Sequence, residues 1–191
     1  MSDDPSAGEG ALGRVTAPDA VILERALPAA IERVWTYLTD PRYLSAWLAG
    51  GTIDLRAGGR VELDFAHFKC PGRGIVQGTM SGVITELEPP HLLTYSWRES
   101  AGTGPGGPES LITFRLRAID DRQTHLTLTH RLIRRQELPG IAAGWHVHLA
   151  VLADRFTERE PAHFMSRWAT LEPEYRKLHE WFCSAKEQPP V

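Results

Sequence analysis

Two periods of hydrophobic and polar positions alternate along the chain, and the changes between them mark out its elements. The run "AVILERAL" at residues 20–27 has the β-branched content of a strand. Pro28 then opens "PAAIERVWTYLTD", where Ile31, Val34, Trp35 and Leu38 recur at helical spacing. After Asp40-Pro41 the stretch "RYLSAWL" carries Leu44, Trp47 and Leu48 on one side, a second short helix that ends at Gly50-Gly51. From there the period drops to two. "TIDLRAGGRVELDF" reads as two strands around Gly58-Gly59, with Val61, Leu63 and Phe65 on one face and Glu62 and Asp64 on the other. Residues 66–77 break the pattern and read as a loop. "GTMSGVITELEPP", "HLLTYSWRES", "SLITFRLRAI" and "THLTLTHRLI" follow as four more strands, with a flexible loop at 101–109, which makes about seven strands in a mostly antiparallel meander. The helical period then returns, with Trp145, His148, Leu149, Leu152 and Phe156 on one face of a helix predicted over Gly144 to Phe156. A shorter appendage begins at Pro161 and is expected to break at Pro173, with Phe164, Trp168, Leu171, Tyr175, Leu178 and Phe182 as its apolar stripe.

Composition narrows the class of molecule. At 191 residues, 42% hydrophobic and 24% charged, the chain is long enough for one well-filled core and has no apolar run that spans a bilayer. Residues 1–18 are small and polar and are expected to be a disordered tail; residues 19–158 form the domain, 159–185 a helical appendage and 186–191 a disordered end. The first residues lack the basic start and apolar centre of a secretory leader, so a cytoplasmic location and no membrane partner are expected. Of the net charge of −3, Asp3, Asp4, Glu9 and Asp19 against Arg14 supply all of it. The body is therefore neutral and lacks the field that nucleic acid demands. Arg131, Arg134 and Arg135 read as a solvated strand end. The two cysteines, Cys70 and Cys183, have no metal or disulfide spacing and are expected to be inert thiols.

One strand, two helices, six strands and a long helix make an α+β order in which a curved sheet wraps round the last helix. With "VWTYLTDPRYLSAWL", "DLRAGGRV", "GVITELEPPHLLTYSW", "LTLTH" and "GWHVHLAVL" in that order, the chain resembles the helix-grip fold of the START/Bet v-type (SRPBCC) superfamily. Within it, the chain is similar to bacterial proteins related to the C-terminal domain of the activator of the heat-shock protein 90 ATPase. The resemblance implies a cavity between sheet and long helix, used across the superfamily for hydrophobic small molecules, and no common catalytic set.

Strand parity says which residues face that interior. Leu126, Leu128, His130 and Leu132 share one face; Leu93, Tyr95 and Trp97 share another; Ile112, Phe114 and Leu116 alternate with Thr113, Arg115 and Arg117. On the helix, His146 and His148 lie about 200° apart and cannot meet at one ion. No metal site and no cofactor are expected. His148 belongs with Trp145 on the buried face, whereas His146 is expected at the surface. The candidate pocket is thus Tyr95, Trp97, His130, Trp145 and His148, with Trp47 and Phe65 as walls, in which imidazoles and a phenol orient a ligand's polar atoms. The competing reading makes each histidine a core residue bonded to a neighbour.

Nucleophile-elbow, zinc-helix and phosphate-loop motifs are lacking in the sequence. The expected function is binding of a hydrophobic or aromatic small molecule, with catalysis left open. One alternative is a cyclase, dehydratase or lyase using His130, His148 or Tyr95 as acid–base groups. Another is an interaction module with a chaperone partner, and a homodimer through the appendage is carried beside it.

Overall fold

The computed structural model describes residues 10–65, 69–70, 74–75, 78–99, 109–157, 159–160 and 163–187. Its centre is one antiparallel sheet of eight strands: β1 (Arg14–Ala17), β2 (Ala20–Leu27), β3 (Gly50–Ile53), β4 (Arg60–Asp64), β7 (Thr79–Glu88), β8 (Leu92–Glu99), β9 (Ser110–Asp120) and β10 (Gln123–Arg131). The spatial order is β1-β2-β10-β9-β8-β7-β4-β3. A separate ribbon pairs β5 (Lys69–Cys70) with β6 (Gly74–Ile75). Helices α1 (Ile31–Thr39) and α2 (Pro41–Leu44) join β2 to β3, and α3 (Leu138–Asp154) and α4 (Phe164–Glu187) follow the sheet. This is the helix-grip architecture, with α3 as the gripped helix. Among the described residues no helix is long and apolar enough to cross a membrane.

Local chemistry explains the elements. Ile31, Val34 and Leu38 give α1 a buried stripe. The Asp40 carboxylate accepts from the Arg42 amide at 2.9 Å and Pro41 fills the first helical position, which starts α2. Gly58 takes a φ of +75° in the turn into β4, where a β carbon would be strained. Val61 and Leu63 are buried while Glu62 and Asp64 are exposed, as the period of two requires.

Several expectations need correction. Residues 14–17, assigned to a tail, form the edge strand β1 and make the eighth strand; residues 1–9 and 188–191 of the expected disordered ends lie outside the described residues, as do 66–68, 71–73, 76–77 and 101–108 of the two expected loops and residue 100 of an expected strand. The gripped helix begins at Leu138, six residues early, because Pro139 sits in its first turn, where a missing amide donor is harmless. The appendage is a continuous helix of 24 residues that runs through Pro173 to Glu187. Proline removes one backbone donor there, and the stripe on both sides of it still packs on α3. Leu132 leaves the inner row: β10 ends at Arg131, and Leu132 adopts a φ of 61° with its side chain exposed.

His146 is the largest correction. It is 2% exposed, not at the surface, because α4 covers the side of α3 that amphipathicity had left to solvent. A helix buried on nearly every side, as α3 is, leaves a weak hydrophobic pattern.

Candidate functional site

The sheet register brings the expected residues together. Tyr95 of β8 stands opposite Ile112 of β9, which stands opposite His130 of β10; Trp97 stands opposite Ser110 in the next row. All project from the same face toward α3. From above, α3 supplies Trp145 and His148, three residues apart and hence neighbours on one helix face. Trp47 comes from the turn after α2 and Phe65 from the end of β4.

The rings form one connected cluster. Ring centroids of Trp97 and Trp145 are 5.3 Å apart, Trp97 and Phe65 5.8 Å, Trp97 and His130 5.9 Å, Trp145 and His148 6.0 Å, and Tyr95 and Trp97 6.4 Å. His148 also lies 6.4 Å from Phe65 and 6.5 Å from Trp47. These are the separations of edge-to-face and offset contacts. Phe65 is half-buried, while the other six are buried.

The polar tips are ordered by their partners. An indole can only donate, so the Trp145 Nε1–H donates to His130 Nδ1 at 2.9 Å. Burial pulls the His130 pKa down to about 3, so the ring is neutral and its proton sits on Nε2. Nε2–H then donates to Ser110 Oγ at 2.8 Å, and the Ser110 hydroxyl donates to the Trp97 carbonyl at 3.2 Å. This chain of directed bonds stitches α3 to three strands, β10, β9 and β8. His148 is tied differently, with Nδ1–H donating to the Trp47 carbonyl at 2.8 Å; burial lowers its pKa to about 4, although that bond acts in the opposite direction. The Trp47 indole in turn donates to the Tyr37 carbonyl at 2.8 Å. Burial raises the Tyr95 phenol well above its ordinary value.

All seven expected residues therefore sit in one cluster. Three further residues belong to it. Phe114 lies 6.0 Å from Trp145 and 6.1 Å from Tyr95, and its parity with Ile112 already put it on the inner row. Ser110 lies one step further along that same row. Phe164, the first residue of α4, packs at a tilt with its ring centroid 4.7 Å from that of His148, and nothing local in the sequence signals that α4 folds back to reach it. The cluster grades outward from buried Tyr95, Trp47 and His130 to half-buried Phe65 and Phe164, which flank His148.

Across α3, His146 turns away from His148. Its Nδ1 is 3.0 Å from the Tyr175 hydroxyl of α4, and that hydroxyl accepts from the Gly13 amide at 2.8 Å. Having accepted there, the hydroxyl keeps its proton to donate to His146. Among the described residues no three His, Cys, Asp or Glu side chains gather as a metal set. Two open grooves of about 400 Å³ each, one along β3, β4 and β7 and one lined by His91, Arg115, Arg117 and His125, include none of the seven residues.

Comparison with known proteins places these features in a lineage. The profile described as Activator of Hsp90 ATPase homolog 1-like protein matches residues 28–157. The fold superposes on CalU16 from Micromonospora echinospora with a TM-score of 0.67 at 28% identity, covering 88% of this chain and 96% of that one. A protein encoded by gene BPP1335 of Bordetella parapertussis gives a TM-score of 0.69 at 31% identity, covering 92% and 94%. DynU16, a protein in the dynemicin biosynthetic locus, shares the fold at 24% identity with a TM-score of 0.59, covering 76% of this chain and 49% of that one. No curated protein matches the sequence.

Proposed function

The chain belongs to the Activator of Hsp90 ATPase homolog 1-like protein family, and within that family we propose that it binds a hydrophobic, aromatic small molecule against the cluster under α3. The observation that carries this reading is the outward grading of the cluster, from a buried floor at Tyr95 and Trp47 to half-buried Phe65 and Phe164 on either side of His148. A flat apolar ligand entering between those two phenyl rings would exchange ring contacts for ring contacts. His148, which burial keeps neutral near pH 7, lies beside both rings and would present an uncharged ring to such a ligand.

Binding is preferred to acid–base chemistry at His130 because both nitrogens of that ring are already engaged, one by Trp145 and one by Ser110. A general base needs a nitrogen within reach of the substrate's proton. The chaperone suggested by the family's description has no counterpart in the residues of this cluster.

Titration of the full chain with 1-anilinonaphthalene-8-sulfonate, followed by quenching of tryptophan fluorescence, tests the reading. The expected result is saturable, one-to-one quenching that weakens about tenfold in Phe164→Ala. Native mass spectrometry of the freshly purified protein should show an adduct of small-molecule mass. Unsaturable quenching together with a bare native mass would sink the proposal.

A further inference from the structure

Arg25 stands on the inner row of β2 with Val21, Leu23 and Leu27, facing the α3 and α4 side of the sheet, and is only 7% exposed. A charged residue on such a row requires a partner. The adjacent carboxylate cannot serve: alternation turns Glu24 to the opposite face, where it pairs with Arg14 at 3.5 Å and approaches His125 at 3.9 Å. Arg25 Nη1 donates to the carbonyl oxygens of Ala11 at 3.0 Å and Glu24 at 2.8 Å. Nε and Nη2 are buried and make no hydrogen bond among the described residues. Those two nitrogens share one edge of the planar guanidinium, with parallel N–H bonds spaced for the two oxygens of a carboxylate. Burial pulls the guanidinium below its ordinary value, while Tyr175, close enough to be felt electrostatically, acts the other way.

The cover over this group is a separable piece of chain. Gly10, at a φ of +67°, lies against it so closely that a β carbon would stand 2.7 Å from Nε and 2.8 Å from Cζ. The strand that follows, β1, has four residues, pairs among the described residues only with β2, and shifts register between Val15 and Ala17. In register, Arg25 sits opposite Leu126, four residues from His130 along β10. That is roughly 13 Å along the strand, so the group lies apart from the aromatic cluster.

We infer that the Nε/Nη2 edge of Arg25 is a carboxylate-binding site roofed by residues 10–13. The carboxylate has two available sources, a small organic acid from solution or Glu9, which directly precedes Gly10 in the sequence. Either source would meet the same pair of parallel N–H donors.

The test uses the full chain with sodium acetate as probe and acetamide, its neutral counterpart of like shape, as control at equal ionic strength. The Arg25 Nε–H resonance is followed by ¹H–¹⁵N NMR. Acetate should shift it saturably and acetamide should not. Equal acetate affinity in wild type and Glu9→Gln assigns the site to a free acid; affinity at least tenfold higher in Glu9→Gln assigns it to Glu9 in the resting chain. Either outcome upholds the carboxylate chemistry. Arg25→Lys keeps the charge and loses the fork, and should weaken acetate at least tenfold; undiminished binding there overturns the proposal. No saturable shift in either wild type or Glu9→Gln overturns it as well, and those two titrations decide the matter if Arg25→Lys does not fold.

Discussion

The two sides of α3 bury imidazoles by different means. On the sheet side His130 and His148 are held neutral among aromatic rings, each donating to an acceptor that the fold has already fixed. On the opposite side His146 meets a hydroxyl from α4, which is itself held by the amide of Gly13, just before β1. The first arrangement ties α3 to the sheet through His130 and to the turn after α2 through His148. The second depends on the two ends of the described chain, the segment before β1 and helix α4. Residues two apart on one helix thus report on a fixed core and on an added clasp.

Acid should separate the two sides most. The folded-state pKa values of about 3 for His130 and about 4 for His148 lie below the ordinary value of 6.5, so the unfolded chain takes up protons first as pH falls. Their contribution is complete above pH 6.5 and is lost progressively below it, on the order of 5 kcal/mol between pH 7 and pH 4. Urea denaturation at a series of pH values measures this; a flat profile through that window would remove the neutral-imidazole account. Next in size is Trp145→Ala, which should destabilise by about 3–5 kcal/mol through the void it leaves. Trp145→Phe isolates the indole donor, and leaving His130 Nδ1 unsatisfied should account for about 1–3 kcal/mol of that. Tyr175→Phe acts on the other side of α3, with a similar loss of about 1–3 kcal/mol, but its signature is local: exchange of the Gly13 amide should accelerate while dye binding at the aromatic cluster is unchanged. If dye binding fell too, the two sides would be one unit. Trp181, 70% exposed on the outer face of α4, sets the baseline, and Trp181→Ser should change stability by under about 0.5 kcal/mol.

The same division explains what could be read from the sequence. Strand parity placed Tyr95, Trp97 and His130 correctly because a sheet strand has two faces and one of them must be buried. Helical spacing placed Trp145 and His148 for the same reason. It failed at His146, since the argument assumes that a helix has a wet side, and α4 removes it. Phe164 and Tyr175 were visible as an apolar stripe, yet which surface that stripe covers is decided by a reversal of the chain that leaves no periodic trace. Arg25 sat on an inner row by simple alternation, and its burial follows from a strand, β1, hidden in a stretch of small residues with little to bury.

The hydrogen bond between Gly13 and Tyr175 joins positions 162 apart in the sequence, and His179 reaches the Pro18 carbonyl across 161. On a ribosome adding about 5–20 residues per second, the first strand would wait roughly 10–30 s for the helix that fastens it. Throughout that interval only the short ladder to β2 holds the first strand in place, and the emergence of α4 is what fastens it.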